Sequence, residues 1–523
     1  MGTSGRTLRG YPMVVKSRLP VPAVSGQSLG ALLRETLATF AERTALIDGP
    51  SGRSYTYQQL LDLSASIANA LVARGIQKGD RVAFVCPNVP EVALAYHGVI
   101  LAGAVAMMLN PLSTKEELKK YLAVGRPKLV ITVDLFLDAI RGADAGMETI
   151  VLGGDSFTEL LGRGSTPPVV ECGPDDLAVM PYSSGTTGFP KGVMLTHRNV
   201  IAQTRGLMAM DDAVVIPGSH LLAVLPFFHI YGIMAFLTYG LMQGATIVSI
   251  PRFDFVQYLE LARKYEVPLL HVVPPILLGL AKYPAELNLP HLKAALVGAA
   301  PLSAELALEF SAKSGAEVFQ VYGMTEVAGG SHLGTLAAGR NKPGSIGELI
   351  AGLEARVVSI ETGKDVDPST PGEIWVRGAV VMKGYFENPE ATDETIDADG
   401  WLHTGDIGYS DADGDWYLVD RLKELIKYKG LQVAPAELEA VLLQHEAVAD
   451  AAVYPYPDDE AGEIPKAAVV LKPGSRVGIE ALMEFVASRV APQKRVRAMK
   501  LVEAIPKSAS GKILRRVLIA EDR

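Results

Sequence analysis

Tyr182-Ser183-Ser184-Gly185-Thr186-Thr187-Gly188-Phe189-Pro190-Lys191-Gly192-Val193 is the stretch from which the rest of the chain is read. It follows an apolar run at 177–180 that reads as a strand. It then gathers Ser183, Ser184, Thr186, Thr187, three glycines and Lys191 in a segment too irregular for the interior of a helix or strand. Such a loop suits a phosphate: glycines let the backbone approach an anion and turn its N–H groups inward, hydroxyls surround the oxygens, and a lysine adds a point charge. The P-loop pattern G-x-x-x-x-G-K-[ST] does not fit, because Lys191 follows Pro190 and precedes Gly192. A plain Gly/Ser/Thr surface turn is the competing reading of the composition alone.

Working outward, 523 residues exceed one compact core and suggest about three units. With 49% hydrophobic and 20% charged residues the chain is globular. A net charge of −9 gives no support to nucleic-acid binding, so anions must be gathered at focused sites. Cys86 and Cys172 are too few for a disulfide scaffold and lack metal-ligand spacing, which suits a reducing cytosol. Pro12, Lys16, Arg18 and Pro20 interrupt any signal-peptide core, position 6 is Arg6 where a myristoylation signal needs a hydroxyl, and Glu521-Asp522-Arg523 is no peroxisomal tripeptide. The expected location is cytoplasmic. Between Asp212 and Arg252 there is no Asp, Glu, Lys or Arg, long enough for a membrane span. Pro217, His220, Pro226 and His229 break that stretch, so a buried strand, turn and helix is expected, with no integral membrane span.

The rest of the chain alternates strands and helices. Residues 56–73 carry Leu60, Leu61, Ile67 and Leu71 at helical spacing, with Thr56 and Gln59 placed as a capping box and Gly75 as the stop. Strands are expected at 81–86, 128–133, 221–225, 269–273, 294–297 and 317–321, and a helix at 89–101. This is a layered α/β pattern, in which function lies at strand ends. From about 344 the texture becomes short β-type runs, at 355–360 and 372–376, which marks a small β-rich subdomain at about 344–419. Near Asp420 it changes again to helices at 435–444 and 479–490 around strands at 451–454 and 467–471, a compact α+β unit. The expected fold class is therefore α/β: a large N-terminal domain, 1–419, of layered α/β subdomains plus the β-rich piece, followed by an α+β C-terminal domain, 420–523.

The opening loop, together with Gly298-Ala299-Ala300-Pro301, Gln320-Val321-Tyr322-Gly323-Met324-Thr325-Glu326, Trp401-Leu402-His403-Thr404-Gly405-Asp406, the Asp420 to Gly430 stretch and Ile505-Pro506-Lys507-Ser508-Ala509-Ser510-Gly511-Lys512, resembles the adenylate-forming superfamily of acyl-CoA synthetases, 4-coumarate-CoA ligases and firefly luciferases, in the family's order. The chemistry the resemblance implies is simple to state. A carboxylate is a poor acyl electrophile, and joining it to AMP supplies a good leaving group for attack by CoA. The implied activity is an ATP-dependent carboxylic acid–CoA ligase using ATP, Mg²⁺ and CoA.

By the same resemblance Ser183, Ser184, Gly185, Thr186, Thr187 and Lys191 cradle the phosphates. Gly298, Ala299, Ala300 and Pro301 contact adenine, as part of a nucleotide set with Gln320, Tyr322, Gly323 and Thr325. There Tyr322 stacks on the nucleotide, Thr325 touches the α-phosphate and Glu326 holds Mg²⁺. Asp406 and Arg421 bind the ribose. His229, Tyr231 and Val321 line the acid pocket, and His229, a lone core histidine on spacing alone, also helps to hold the carboxylate. Lys512 acts in adenylation. Lys427 and Gln432 join the catalytic set, and Lys429, Gly430 and Arg252 meet CoA after a rotation about the hinge Asp420, which makes the terminal domain mobile. Gly372 to Gly378 lacks the cysteine of the plant 4-coumarate ligases. Two other readings stand beside the ligase: an enzyme of one half-reaction, serving an acyl-carrier protein or a partner ligase, and a nucleotide- or acyl-binding protein without turnover.

Overall fold

The computed structural model describes residues 14–19, 24, 26–183, 190–210, 214–335, 341–429, 431–458, 460–508 and 511–522. Its largest sheet has seven strands among these residues, in the order Gly384–Tyr385, Lys191–Thr196, Leu177–Ser183, Val105–Leu109, Arg81–Val85, Leu129–Thr132, Thr149–Val151. The five from Leu177–Ser183 onward run parallel, and Lys191–Thr196 turns back antiparallel to Leu177–Ser183. Val105–Leu109 and Leu129–Thr132 are buried at every position, which is why parallel strands of this kind read as unbroken apolar runs. A second sheet sets His220–Ala223, Thr246–Ser249 and Thr44–Asp48 parallel, with Ser54–Thr56 antiparallel at its edge. A third places Leu269–Val272, Ala294–Val297 and Glu317–Met324 parallel and then adds Gly329–Leu333 and Glu348–Leu349 antiparallel.

The charge-free stretch holds the strand His220–Ala223, a single turn Ile230–Gly232 and a π-helix Ile233–Gly240, followed by the strand Thr246–Ser249. The wide turns leave room for Thr238 to donate its hydroxyl to Ile233 O, five residues back, at 3.1 Å. No helix among the described residues is long and apolar enough to cross a membrane.

The β-rich piece is an antiparallel sheet of Glu354–Val358, Gly372–Arg377, Leu402–Ser410 and Trp416–Arg421, with Val15–Lys16 from the other end of the chain on its edge. The sheet thus reaches Arg421, slightly beyond the 419 expected, because Asp406 pairs with Arg421 and Ile407 with Asp420 across the last two strands. A smaller unit follows. The hairpin Ile426–Tyr428 and Leu431–Val433, the strands Val448–Asp458, Gly462–Leu471 and Ala498–Leu501, and the helices Pro435–Leu443 and Ile479–Ala487 enclose a core that includes Ile426, Leu438, Val453, Val469, Leu482 and Val486. A separate core is what lets such a unit fold as a domain. The architecture is mixed α/β, with a large N-terminal domain and a small C-terminal one.

The helix Tyr57–Ala73 starts on the capping box that its sequence announces: Gln59 N donates to Thr56 Oγ1 at 3.1 Å, and Thr56 N donates to Gln59 Oε1 at 2.8 Å. It packs on Pro90–Leu101, buried along almost its whole length, and the two backbones come close at Gly98. A Cβ there would lie 2.6 Å from Ile67 Cγ2 and 2.8 Å from Ile67 Cβ. Gly98→Ala therefore overpacks this contact and lowers stability by about 1–3 kcal/mol, read as a lower urea midpoint at unchanged slope; a wild-type midpoint would refute the close approach.

Candidate active site

The third sheet, the end of the seven-stranded sheet, the β-rich sheet and the C-terminal domain enclose a cavity of about 780 Å³. Ser183, Lys191, His229, Tyr231, Ala299, Val321, Gly323, Thr325, Glu326, Asp406, Arg421 and Lys512 all line it. These residues come from motifs scattered over more than half of the chain.

One wall is ionic. Asp406 is nearly buried, and its carboxylate accepts from the Tyr322 hydroxyl at 2.7 Å and pairs with Arg421 Nε at 3.2 Å. Burial pushes the Tyr322 phenol up, and Asp406 pushes it further. Burial pulls the Arg421 guanidinium down, but Asp406 and Glu424 more than offset it. Gly405, at φ +70°, aims Asp406, and Glu373 fixes that turn: Gly405 N donates to Glu373 Oε1 at 2.9 Å while Trp375 Nε1 donates to Glu373 Oε2 at 2.8 Å. Glu326 is 5% exposed, and its Oε1 accepts from the Tyr385 hydroxyl at 2.9 Å. The Lys191 ammonium sits 4.7 Å over the same Tyr385 ring.

Lys512 enters from the C-terminal domain. Its turn is closed by Ser508 N donating to Lys512 O at 2.8 Å and Gly511 N donating to Ser508 O at 2.9 Å. At φ +79°, Gly511 lets the turn press on the N-terminal domain, where a Cβ would stand 3.1 Å from Pro275 Cδ. Burial depresses the Lys512 pKa and Arg421 depresses it further, while Asp406, Glu326 and Glu424 act against them. Lys512 in turn adds to the burial that lowers His229 to about 4. His229 caps the short turn after it: Tyr231 N donates to His229 Nδ1 at 3.3 Å, so the neutral ring carries its hydrogen on Nε2.

The opposite wall is largely hydrocarbon. Val321 is gripped between two glycines: a Cβ at Gly298 would meet Val321 Cγ1 at 2.6 Å, and one at Gly330 would meet Val321 Cγ2 at 3.1 Å. Tyr231 lies on the same side and donates its hydroxyl to Leu296 O at 3.1 Å.

Other expected site residues fall elsewhere. Tyr322 does not line the cavity; it packs on His332 and meets the site through Asp406. Gln320 donates to Ser345 O at 2.9 Å, and neither it nor Ala300 and Pro301 lines the cavity. Lys427 and Gln432 face each other across the hairpin, exposed and outside the cavity. Lys429 pairs with Glu460 at 2.5 Å, and Arg252 is exposed; both are outside it too. Ser184, Gly185, Thr186, Thr187 and Gly430 lie outside the described residues. Asp420 is the penultimate residue of the strand Trp416–Arg421, and its carboxylate accepts from Arg421 N at 2.7 Å and from Ala436 N, at the start of a C-terminal helix, at 2.8 Å.

Sequence reasoning missed Glu373 and Tyr385. Glu373 was findable, since Glu-x-Trp on a strand puts both side chains on one face. Tyr385 gave no such signal, because its place depends on pairing with Val193 beside the cradle loop.

Residues 33–386 match the model of the AMP-binding enzyme family, and residues 437–512 match that of the AMP-binding enzyme C-terminal domain. The chain belongs to this family of AMP-binding enzymes. Among curated relatives it is 41% identical to 4-coumarate–CoA ligase 1 of Petroselinum crispum, over 93% of this chain and 92% of that protein. Among solved structures, ATP-bound MatB from Rhodopseudomonas palustris superposes with a TM-score of 0.88 at 29% identity, covering 95% of this chain and 99% of that one, against 0.77 for its apo form. The o-succinylbenzoate CoA synthetase of Bacillus subtilis, in complex with its acyl-adenylate intermediate, gives 0.83 at 30% identity, over 95% of this chain and 98% of that one.

Burial also sets an acid limit. His97, His197, His229 and His271 are lowered to about 4 and His332 to about 3, against about 6.5 in an unfolded chain. Between those values the unfolded chain takes up protons that the folded one refuses, so stability falls with falling pH. Burial raises Glu439 to about 7 and also raises Asp420, and these two act oppositely, while His220, lowered by burial, acts with the five rings. The urea midpoint should drop steadily from pH 6.5 to 4.5; a level or rising midpoint would contradict the buried neutral rings.

Proposed function

We propose that the cavity joins a carboxylic acid to AMP while Lys512 occupies it, and that rotation about Asp420 then exchanges Lys512 for the hairpin carrying Lys427 and Gln432, where CoA attacks. The protein is an ATP-dependent acid–CoA ligase, an acid-thiol ligase working through an acyl-adenylate. The observation that supports the two-stage reading is the separation of its cations: Lys512 lines the cavity, whereas Lys427, paired with Gln432, is exposed outside it.

In the first stage the acid's carboxylate oxygen attacks the α-phosphorus of ATP and pyrophosphate leaves. His229, with its hydrogen on Nε2, donates to the carboxylate. Lys512 meets the charge that grows on the α-phosphate, with the Thr325 hydroxyl beside it. Asp406, steadied by Tyr322 and Arg421, accepts from the ribose hydroxyls. Among the described residues no three His, Cys, Asp or Glu side chains gather into a metal cage. Glu326 alone, with the substrate's phosphates, matches the way Mg²⁺ is commonly held, and such an ion would neutralise phosphate charge there. In the second stage the CoA sulfur attacks the acyl carbon and AMP leaves, with Lys427, Lys429 and Gly430 turned toward the site and Arg252 at its rim.

Half-reactions test the exchange. Lys512→Ala should lower acid-dependent pyrophosphate release on the order of 10²–10³-fold yet leave thioester formation from supplied acyl-AMP near wild type, and Lys427→Ala should do the reverse. Equal losses in both assays would remove the two-stage reading. Val321→Gly, which empties the space between Gly298 and Gly330, should raise kcat/KM for acids bulkier than the best wild-type substrate. An unchanged ranking across a panel of acids would count against Val321 as the limit.

A further inference from the structure

Asp406, the proposed acceptor of the ribose hydroxyls, stands on an irregularity in the β-rich sheet. Gly372–Arg377 and Leu402–Ser410 pair antiparallel, with Trp375 opposite His403 on one side and Glu373 opposite Ile407 on the other. Between those pairs Ile374 alone stands opposite Thr404, Gly405 and Asp406, so the second strand arches away from its partner there. Bulges of this kind bend a strand, re-aim a side chain and gather beside active sites. All three residues of the arch line the cavity, and so does Glu373.

An arch breaks ladder bonds, and here two side chains replace them. The Thr404 hydroxyl donates to Ile374 O at 2.6 Å and accepts from Asp406 N at 3.1 Å. The Glu373 carboxylate takes the other N–H, from Gly405, at 2.9 Å. Its second oxygen accepts from Trp375 Nε1 at 2.8 Å. The Trp375 indole in turn lies flat on the His403 imidazole, with centroids 3.7 Å apart and planes 14° apart, and the Arg356 guanidinium sits 4.6 Å over the same indole. Glu373 is thus braced on the regular part of the sheet and reaches from it into the arch.

The arch decides where Asp406 can receive a donor. Its Oδ2 accepts from the Tyr322 hydroxyl, and its Oδ1 faces Arg421 Nε. A carboxylate offers about four lone-pair sites, so those left over are open to an outside donor. Hydrogen bonds weaken steeply off line, so a small swing of the arch would cost such a donor its bond.

We propose that Glu373 and Thr404 are positioning residues that shape the arch for a vicinal diol and so set a preference for ribonucleotides over deoxyribonucleotides. This rests on the ligase reading, in which Asp406 holds the ribose, and names the residues that make that contact selective. Both act through Asp406. A site built around such bonds rejects a sugar that lacks a hydroxyl, because the buried acceptor is left unpaired.

The test is equilibrium binding of AMP, 2′-deoxyAMP and 3′-deoxyAMP, measured by calorimetry on the full chain. Wild type should bind AMP about tenfold or more tightly than at least one of the deoxy nucleotides. In Glu373→Ala that ratio should fall to within about threefold, through loss on AMP, and Thr404→Val should do the same. Thr404→Ser, which keeps the hydroxyl, should hold the wild-type ratio, and Glu373→Gln, whose carbonyl oxygen still accepts from Gly405 N, should keep part of it. Residues that only held the sheet together would weaken all three nucleotides alike, so an unchanged ratio in Glu373→Ala or Thr404→Val overturns the assignment. Should Glu373→Ala fail to fold, Thr404→Val and Thr404→Ser decide. AMP bound without preference over either deoxy nucleotide removes this inference and leaves the ligase reading standing, whereas failure to bind AMP at all removes both.

Discussion

An ammonium taken from water and set beside a guanidinium is the constraint on which this architecture turns. Burial and Arg421 both work against the charge of Lys512, and Asp406, Glu326 and Glu424 work for it. Each of those groups is held by something else: Asp406 by Tyr322 and by the Gly405 turn that Glu373 fastens, Glu326 by Tyr385. Asp406 and Glu326 are thus fixed by N-terminal partners, whereas Glu424 is held by Arg515 in the same domain as Lys512. A polyanion in the cavity strengthens this balance, since Coulomb attraction grows as water is excluded, and departure of part of that anion weakens it again. In the proposed mechanism, lid position and the charge of the occupant are thereby coupled through Lys512.

Much of this fold was legible because its strands are buried on both faces and its helices are punctuated. Ala294–Val297 has the bounds its apolar run gives, and the Thr56 box opens its helix as written. Which sheet a strand joins was not legible. Thr44–Asp48 lies between Thr246–Ser249 and Ser54–Thr56, and Val15–Lys16 pairs with Glu354–Val358; neither partner is encoded locally, since any apolar edge of the right length would serve. The site divides in the same way. Loops dense in glycine, hydroxyls and charge announced themselves, whereas Tyr385 and Glu373 act through neighbours that only pairing supplies. Tyr322 is a different case. Resemblance implied a ring against the nucleotide; the ring instead packs on His332 away from the cavity, and its hydroxyl serves Asp406.

The bonds at the junction between the domains divide between its two sides. Arg421 is fastened to Asp406 on the N-terminal side. Glu424 is bound by Arg515, whose guanidinium also donates to Glu439 at 2.7 Å and to Val453 O at 2.8 Å, all within the C-terminal domain. Asp522 ties the last helix to the same domain through the Tyr454 hydroxyl at 2.7 Å and Lys500 at 2.9 Å, and Tyr428 of the Lys427 hairpin pairs with Gly462 of its central strand. Lys512 and Lys427 are thus carried by one domain, Lys512 lining the cavity and Lys427 exposed outside it. In the proposed rotation about Asp420, bringing Lys427 in therefore takes Lys512 out. Sequential use of the two lysines, as proposed, then needs no separate timing device; it follows from fastening both to a single domain.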